Sequence, residues 1–179
     1  MRALLVSGTC GSGKTTATIF LAAKTGWIRI CEDDIWLETF GKNRGSFGSA
    51  EHIVKRSHVH NTVFSACLGA MDQGKNVVLD VTVHESPPEA YGSYSNFFTR
   101  HKIDWLLRVL HPRLEIAVER DASRSSWQVG AQRIADLRSK FSGLVFGAEC
   151  FLDNSEDTPE QTVARLLGID WCQGGVSLR

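Results

Sequence analysis

Residues Gly8 to Thr16 read GTCGSGKTT. They fit G-x-x-x-x-G-K-[ST] at every fixed position, through Gly8, Gly13, Lys14 and Thr15. The stretch lies between a short apolar run, Ala3 to Val6, and the helix-like ATIFLAAKTG. A strand, then this loop, then a helix is the context in which the pattern binds a nucleotide. The glycines let backbone N–H groups turn inward on an anion. The helix that follows adds the partial positive charge of its N-terminus. Lys14 supplies a full charge to the outer phosphates, and the Thr15 hydroxyl is suited to magnesium. Cys10, Gly11, Ser12 and Thr16 complete the expected phosphate cradle.

Strand and helix patterns alternate beyond the loop. WIRIC (27–31) reads as a second strand and runs into the acidic cluster Glu32, Asp33 and Asp34. Asp33 or Asp34 is expected to cap a helix starting at Ile35. GKNRGSFGS (41–49) is rich in glycine and serine and reads as a loop. Residues 50–73 carry Ile53, Val63, Phe64, Cys67, Leu68 and Met71 mostly at three- and four-residue spacings, which predicts a long helix ended by Gly74. NVVLDVT (76–82) is apolar without alternation, as in a strand covered on both faces. Pro87 and Pro88 open a connector, and Tyr94 to His101 suggest a short helix. WLLRVL (105–110) is a fourth strand. Helix is expected from Leu114 to about Arg120 and again from Ala131 to Phe141, with a break at Ser123 to Val129. Cys150 to Leu152 is a candidate fifth strand, and TPEQTVARLL a helix with Thr158 as N-cap, Pro159 at the first position and Gln161 at the third. This alternation predicts an α/β fold, a parallel sheet with helices on both faces. Ligands of such sheets bind at the carboxyl ends of the strands.

Composition narrows the function. The chain has 179 residues, enough for a single domain (1–179) with a real core. Twenty basic and twenty acidic side chains leave a formal net charge of zero, which weighs against a general nucleic-acid binder. No run of 18 apolar residues suggests a membrane span, and no secretory leader is evident ahead of the loop. Five widely spaced cysteines without a CxxC pair suggest reduced thiols in a cytoplasmic protein.

Three further features carry chemistry. Asp33 is placed to accept the proton of an attacking hydroxyl, as phosphoryl transfer requires. Asp80 ends an apolar strand, where a carboxylate suits magnesium held through water or a substrate hydroxyl; Thr82 is a weaker candidate on the same side. Arg120, Arg124 and Arg133 flank the break in ERDASRSSWQVGAQR and suit charge developing on a transferring phosphoryl group, delivered by a lid over about 120–133. Trp36, one turn beyond Asp33, is a candidate wall of an acceptor pocket within an acceptor-side segment of about 33–73. His52, His58 and His60 lack the spacing of a helical metal pair and read as surface or pocket residues.

Taken together, GTCGSGKTT, ICEDDIW, VVLDVT, ERDASR with Arg133, and DNSEDTPEQTVARLL resemble the small P-loop kinases. The layout is most similar to chloramphenicol phosphotransferase-like and polynucleotide-kinase-like proteins of the AAA type, over nearly all of the chain to about Leu167. The resemblance implies a five-stranded sheet in the order 2-3-1-4-5, Asp33 as the residue that deprotonates an acceptor hydroxyl, and Arg120, Arg124 and Arg133 at the ATP phosphates. It also implies Asn154 and Ser155 beside adenine. One position departs from the polynucleotide kinases: where they carry an arginine for a nucleic-acid phosphate, two residues after the DD pair, this chain has Trp36. The expected activity is therefore ATP- and magnesium-dependent phosphorylation of a small-molecule hydroxyl. A polynucleotide 5′-hydroxyl kinase and a regulatory ATP-binding protein or ATPase without an acceptor are the alternatives. No NKxD stretch is present, which by itself does not decide between ATP and GTP.

Overall fold

A computed structural model describes residues 1–168 except 43, 44, 47, 84–88, 126 and 142–144. Five strands form one sheet: β1 (Arg2–Gly8), β2 (Ile28–Cys31), β3 (Val77–Asp80), β4 (Asp104–Leu110) and β5 (Phe151–Leu152). All pairings are parallel and the order is β2-β3-β1-β4-β5. The helices are α1 (Lys14–Thr25), α2 (Glu32–Phe40), α3 (Ala50–Asp72), α4 (Glu89–Arg100), α5 (Leu114–Ala122), α6 (Ala131–Arg138) and α7 (Pro159–Leu167).

The continuous apolar character of β1 follows from burial on both faces. Ala3 and Leu5 join a core with Val59, Val63, Cys67, Tyr94 and Phe98 of α3 and α4. Leu4 and Val6 point the other way, into a core with Ala17 and Leu21 of α1 and Val163 and Leu166 of α7. Fully burying one such side chain contributes about 1.5–3 kcal/mol, so the central strand anchors both layers. Register then sets the functional edge. Val6 and Cys31 both stand opposite Asp80, which brings the ends of β1, β2 and β3 level.

Several local expectations shift. The helix after the acidic cluster begins at Glu32, with Cys31 as N-cap and no side-chain cap, so neither Asp33 nor Asp34 is the cap. Three carboxylates in its first turn meet the positive end of the helix dipole instead. Ile53, expected on the buried stripe of α3, is exposed; burial along α3 begins only at Val59. The helix expected over Tyr94 to His101 starts earlier, at Glu89. Helix α6 stops at Arg138, short of Phe141. The third strand is trimmed to Val77–Asp80. Cys150 belongs to a 3₁₀ turn (Ala148–Cys150), leaving two residues in β5. The Thr158 capping box with Pro159 and Gln161 forms as expected, and Gly74 adopts φ 71° just past α3. Pro87 and Pro88 lie outside the described residues, as does part of the 41–49 loop. Cys10, Cys31, Cys67 and Cys150 are free thiols. Among the described residues no helix is long and apolar enough to cross a membrane.

Candidate active site

The phosphate loop wraps from the end of β1 into α1, and its glycines answer to two different demands. Gly13 holds φ 91° as the residue before α1, a conformation that strains any L side chain. Gly11 has φ 73°, and a Cβ there would stand 2.0 Å from the Ala117 carbonyl oxygen. That glycine therefore lets the loop press against α5, a demand separate from any approach of phosphate. The Lys14 ammonium donates to the Gly8 and Thr9 carbonyls at 2.8 and 3.0 Å. An ammonium carries three N–H donors, so one remains for an incoming oxygen. Thr15 and Thr16 are exposed at the head of α1. From the far end of the sheet, Asn154 Nδ2 donates 2.9 Å to the Ser12 carbonyl and ties the loop to the segment after β5.

Two cavities flank this loop. One, of about 340 Å³, is lined by Gly11, Gly13 and Thr16 of the loop, Arg120 and Arg124, and Asn154. Arg120 is held there by the Asn154 and Ser155 carbonyls at 3.0 and 3.1 Å, and Arg124 lies 3.6 Å from Asp121. Asn154 is buried and its Oδ1 has no hydrogen-bond partner among the described residues. Ser155 is not part of the lining. Its hydroxyl accepts from the Arg113 N–H at 2.8 Å and donates to Asp153, a turn-forming arrangement.

The second cavity, of about 320 Å³, lies on the other side of Cys10. Its walls include Glu32, Asp33 and Trp36 of α2, His52 and Arg56 of α3, Asp80 and Thr82 after β3, and Trp127 and Arg133. The sequence candidates Asp33, Trp36, Asp80 and Thr82 thus meet in one space. Arg133 joins them, and so is separated from Arg120 and Arg124, with which it was grouped. Asp121 explains the separation: it accepts the Val129 and Gly130 N–H groups at 2.9 and 3.1 Å, turning the chain between α5 and α6 back on itself. Thr82 is positioned by Ser7, whose hydroxyl donates to the Val83 carbonyl at 2.6 Å and accepts its N–H at 3.0 Å. His52 packs against the Trp36 ring, with centroids 5.6 Å apart. His60 is buried, its Nε2 3.5 Å from Glu32 Oε1, and His58 lies against Phe40.

Arg29 is the participant that the sequence reading missed. Its guanidinium reaches from β2 to Asp80 Oδ2 at 2.8 Å, Asp34 at 2.9 Å and the Thr18 hydroxyl at 3.0 Å. Burial pulls its pKa down, but the hydrogen bonds to Asp80 and Asp34 outweigh that and the net shift is upward. The signal lay in an isolated charge inside WIRIC, an apolar strand, where a charge implies a buried partner. Burial, and then the Asp80 charge, push the neighbouring Cys31 thiol up to about 12, which keeps it neutral.

No group of three or more His, Cys, Asp or Glu is placed to hold a metal among the described residues. Magnesium does not require one, because it keeps several waters and takes one or two protein oxygens beside phosphate. Asp80 Oδ2 is engaged by Arg29 and Thr18, while Oδ1 has no partner among the described residues. With the exposed Thr15 hydroxyl, that oxygen gives a donor set that fits magnesium.

The comparisons agree with this fold. A family model for the AAA domain matches residues 4–144, and the chain belongs to that family. It is a P-loop protein of the small kinase type, a nucleotide-binding class. No curated protein matches the chain in sequence. Among solved structures, a sugar kinase from Janibacter sp. HTCC2649 is similar at TM-score 0.66 and 20% identity, covering 94% of this chain and 93% of that one. A tunicamycin resistance protein from Deinococcus radiodurans gives TM-score 0.68 and 15% identity, covering 93% and 94%. A gluconokinase from Sinorhizobium meliloti 1021 gives 0.61 and 15%, covering 93% and 90%. At these identities the likeness concerns the fold.

Proposed function

We propose that this protein transfers the terminal phosphoryl group of ATP to a hydroxyl of a small molecule. The observation that carries the proposal is the pair of cavities on either side of one phosphate loop, the second containing a carboxylate suited to activate a hydroxyl. Structural neighbours named as a sugar kinase and a gluconokinase point the same way.

In this scheme the nucleotide lies along the Gly11–Thr16 side, with its base toward Asn154 and its phosphates against the loop N–H groups and Lys14. Thr15 and Asp80 would hold magnesium, which when bound neutralises phosphate charge. Asp33 orients the acceptor hydroxyl and takes its proton as the new P–O bond forms and the bond to ADP breaks. Arg120 and Arg124 meet the charge on the nucleotide side, and Arg133 closes from the acceptor side. Trp36, with Thr82, shapes the acceptor site. The free thiols among the described residues fit a reducing compartment such as the cytoplasm.

The test replaces Asp33 by Asn. The side chain keeps its size and loses its basicity. ATP affinity should stay within about twofold, while transfer in a labelled-ATP screen of hydroxylated metabolites should fall by roughly 10²–10⁴-fold. Transfer by the variant at near wild-type rate would remove Asp33 as the base. Strong labelling of a 5′-hydroxyl oligonucleotide, with none of the metabolites, would overturn the small-molecule acceptor. Slow hydrolysis indifferent to every acceptor would overturn transfer itself.

A further inference from the structure

Of the cations in and around the acceptor cavity, one half-buried side chain is left without an ion pair among the described residues. Arg29 is met by Asp34 and Asp80, Arg120 by two carbonyls, and Arg124 by Asp121. Arg133 is exposed, so water can serve it. Arg56 differs. It projects from α3 into the cavity, it is half-buried, and it makes no hydrogen bond or ion pair among the described residues. The residue beside it, Lys55, is by contrast paired with Glu51 one turn away.

A guanidinium carries five N–H donors and keeps its charge at any working pH. Partial burial without a partner strips water from it and offers nothing in exchange. Three carboxylates, Glu32, Asp33 and Asp80, line the same cavity, yet none forms an ion pair with it, and Asp80 is taken by Arg29. Glu32 is turned toward the buried His60. The buried Tyr94 hydroxyl senses both charges: burial and then the Glu32 charge push its pKa up, while the Arg56 charge pulls it down. The two ends of the cavity therefore differ in chemistry. The α2 end, with Asp33, suits a hydroxyl that donates. The α3 end, with Arg56, suits an oxyanion that accepts. A neutral polyol would occupy the first end and leave the second unsatisfied.

We infer that the acceptor is a hydroxylated anion, its carboxylate or phosphate group bound by Arg56 while Asp33 faces the hydroxyl to be phosphorylated. The inference rests on the transfer reading above and narrows its substrate class. Arg56 is the residue that sets the preference for an acid over its neutral counterpart. The position of Trp36, where a cation for the acceptor is absent, is thereby offset from the neighbouring helix.

The test uses the full-length protein and a matched set of probes: gluconate and glucose 6-phosphate as the carboxylate and phosphate arms, with sorbitol and glucose as neutral partners. Transfer from labelled ATP is measured for wild type, Arg56→Gln and Arg56→Lys. Binding is read separately from quenching of tryptophan fluorescence with ADP and magnesium present. An acid should be preferred to its neutral partner, and Arg56→Gln should raise its KM roughly ten- to hundredfold, as for a lost charge-assisted hydrogen bond, with kcat nearly unchanged. Arg56→Lys should recover part of that loss, and ATP affinity should be the same in all three proteins. Whichever arm responds to Arg56→Gln identifies the anionic group.

Equal use of neutral and acidic probes, or equal weakening of both by Arg56→Gln, would overturn the inference. So would the absence of Arg56-dependent binding by either anion. If anions bind through Arg56 and no probe is phosphorylated, the inference stands and the transfer reading is the one in difficulty.

Discussion

Replacing Arg29 by Met removes the cation beside Asp80 while keeping the length of its aliphatic stem. Asp80 is 5% exposed and loses a 2.8 Å ion pair, with only the Thr18 hydroxyl remaining at 3.4 Å. Breaking a buried pair by deleting one partner costs about 3–5 kcal/mol. Arg29 keeps an exposed edge, with 18% of its side chain accessible, so the low end applies and about 2–3 kcal/mol is expected. Its bond to Asp34 adds little, because that carboxylate is 69% exposed. For a chain of this size each kcal/mol moves Tm by about 2–4 °C, giving a fall of roughly 4–12 °C. The assay is thermal unfolding of wild type, Arg29→Met, Asp80→Asn and the double variant. Asp80→Asn should recover part of the loss caused by Arg29→Met, since it removes the charge left stranded. Magnesium alone should also raise the Tm of Arg29→Met more than that of wild type, because the second Asp80 oxygen then faces no competing guanidinium. A single-variant fall below about 2 °C, or strictly additive effects in the cycle, would refute the argument, since distant uncoupled sites add.

Two further predictions follow from particular contacts. Gly11→Ala places a methyl group against the Ala117 carbonyl at a left-handed φ; the conformation alone costs about 1–2 kcal/mol and the clash adds to it, so ATP binding measured by calorimetry should be lost or sharply weakened. An unchanged affinity would mean that loop and α5 are not in contact during binding. Burial, with Arg138 nearby, lowers the His111 pKa below its usual 6.5, whereas Asp153 acts the other way. The folded state thus resists a proton that the unfolded chain accepts: nothing is lost above about 6.5, and stability falls as pH drops through that value toward the folded pKa. His111→Gln should remove that component, seen as a shallower decline of the urea midpoint between pH 7 and 5; a parallel decline in both proteins would contradict it.

The fold was legible because its signals are local. A strand–loop–helix with fixed glycines, apolar runs without alternation and a full capping box each depend on residues a few positions apart. The sheet order came from resemblance, and parallel pairing with Asp80 level with Cys31 and Val6 matches it. Boundaries moved where packing, not pattern, decides: Ile53 keeps helical spacing yet lies exposed, because burial on α3 begins only at Val59.

By itself, then, the sequence determined the phosphate loop, the α/β alternation and the strand ends where chemistry gathers. It did so because backbone conformation and hydrophobic periodicity are properties of neighbouring residues. Only the tertiary structure decided which charges meet. Arg29 and Asp80 are 51 positions apart and share an ion pair. Arg133 parts from Arg120 and Arg124 because Asp121 folds the intervening segment back. Arg56 reads in sequence as one more surface arginine on a long helix, and becomes notable only because α3 aims it at a cavity where no described residue forms an ion pair with it. Electrostatics acts through space, so the composition of a site, unlike the shape of a turn, is settled by the packing that assembles it.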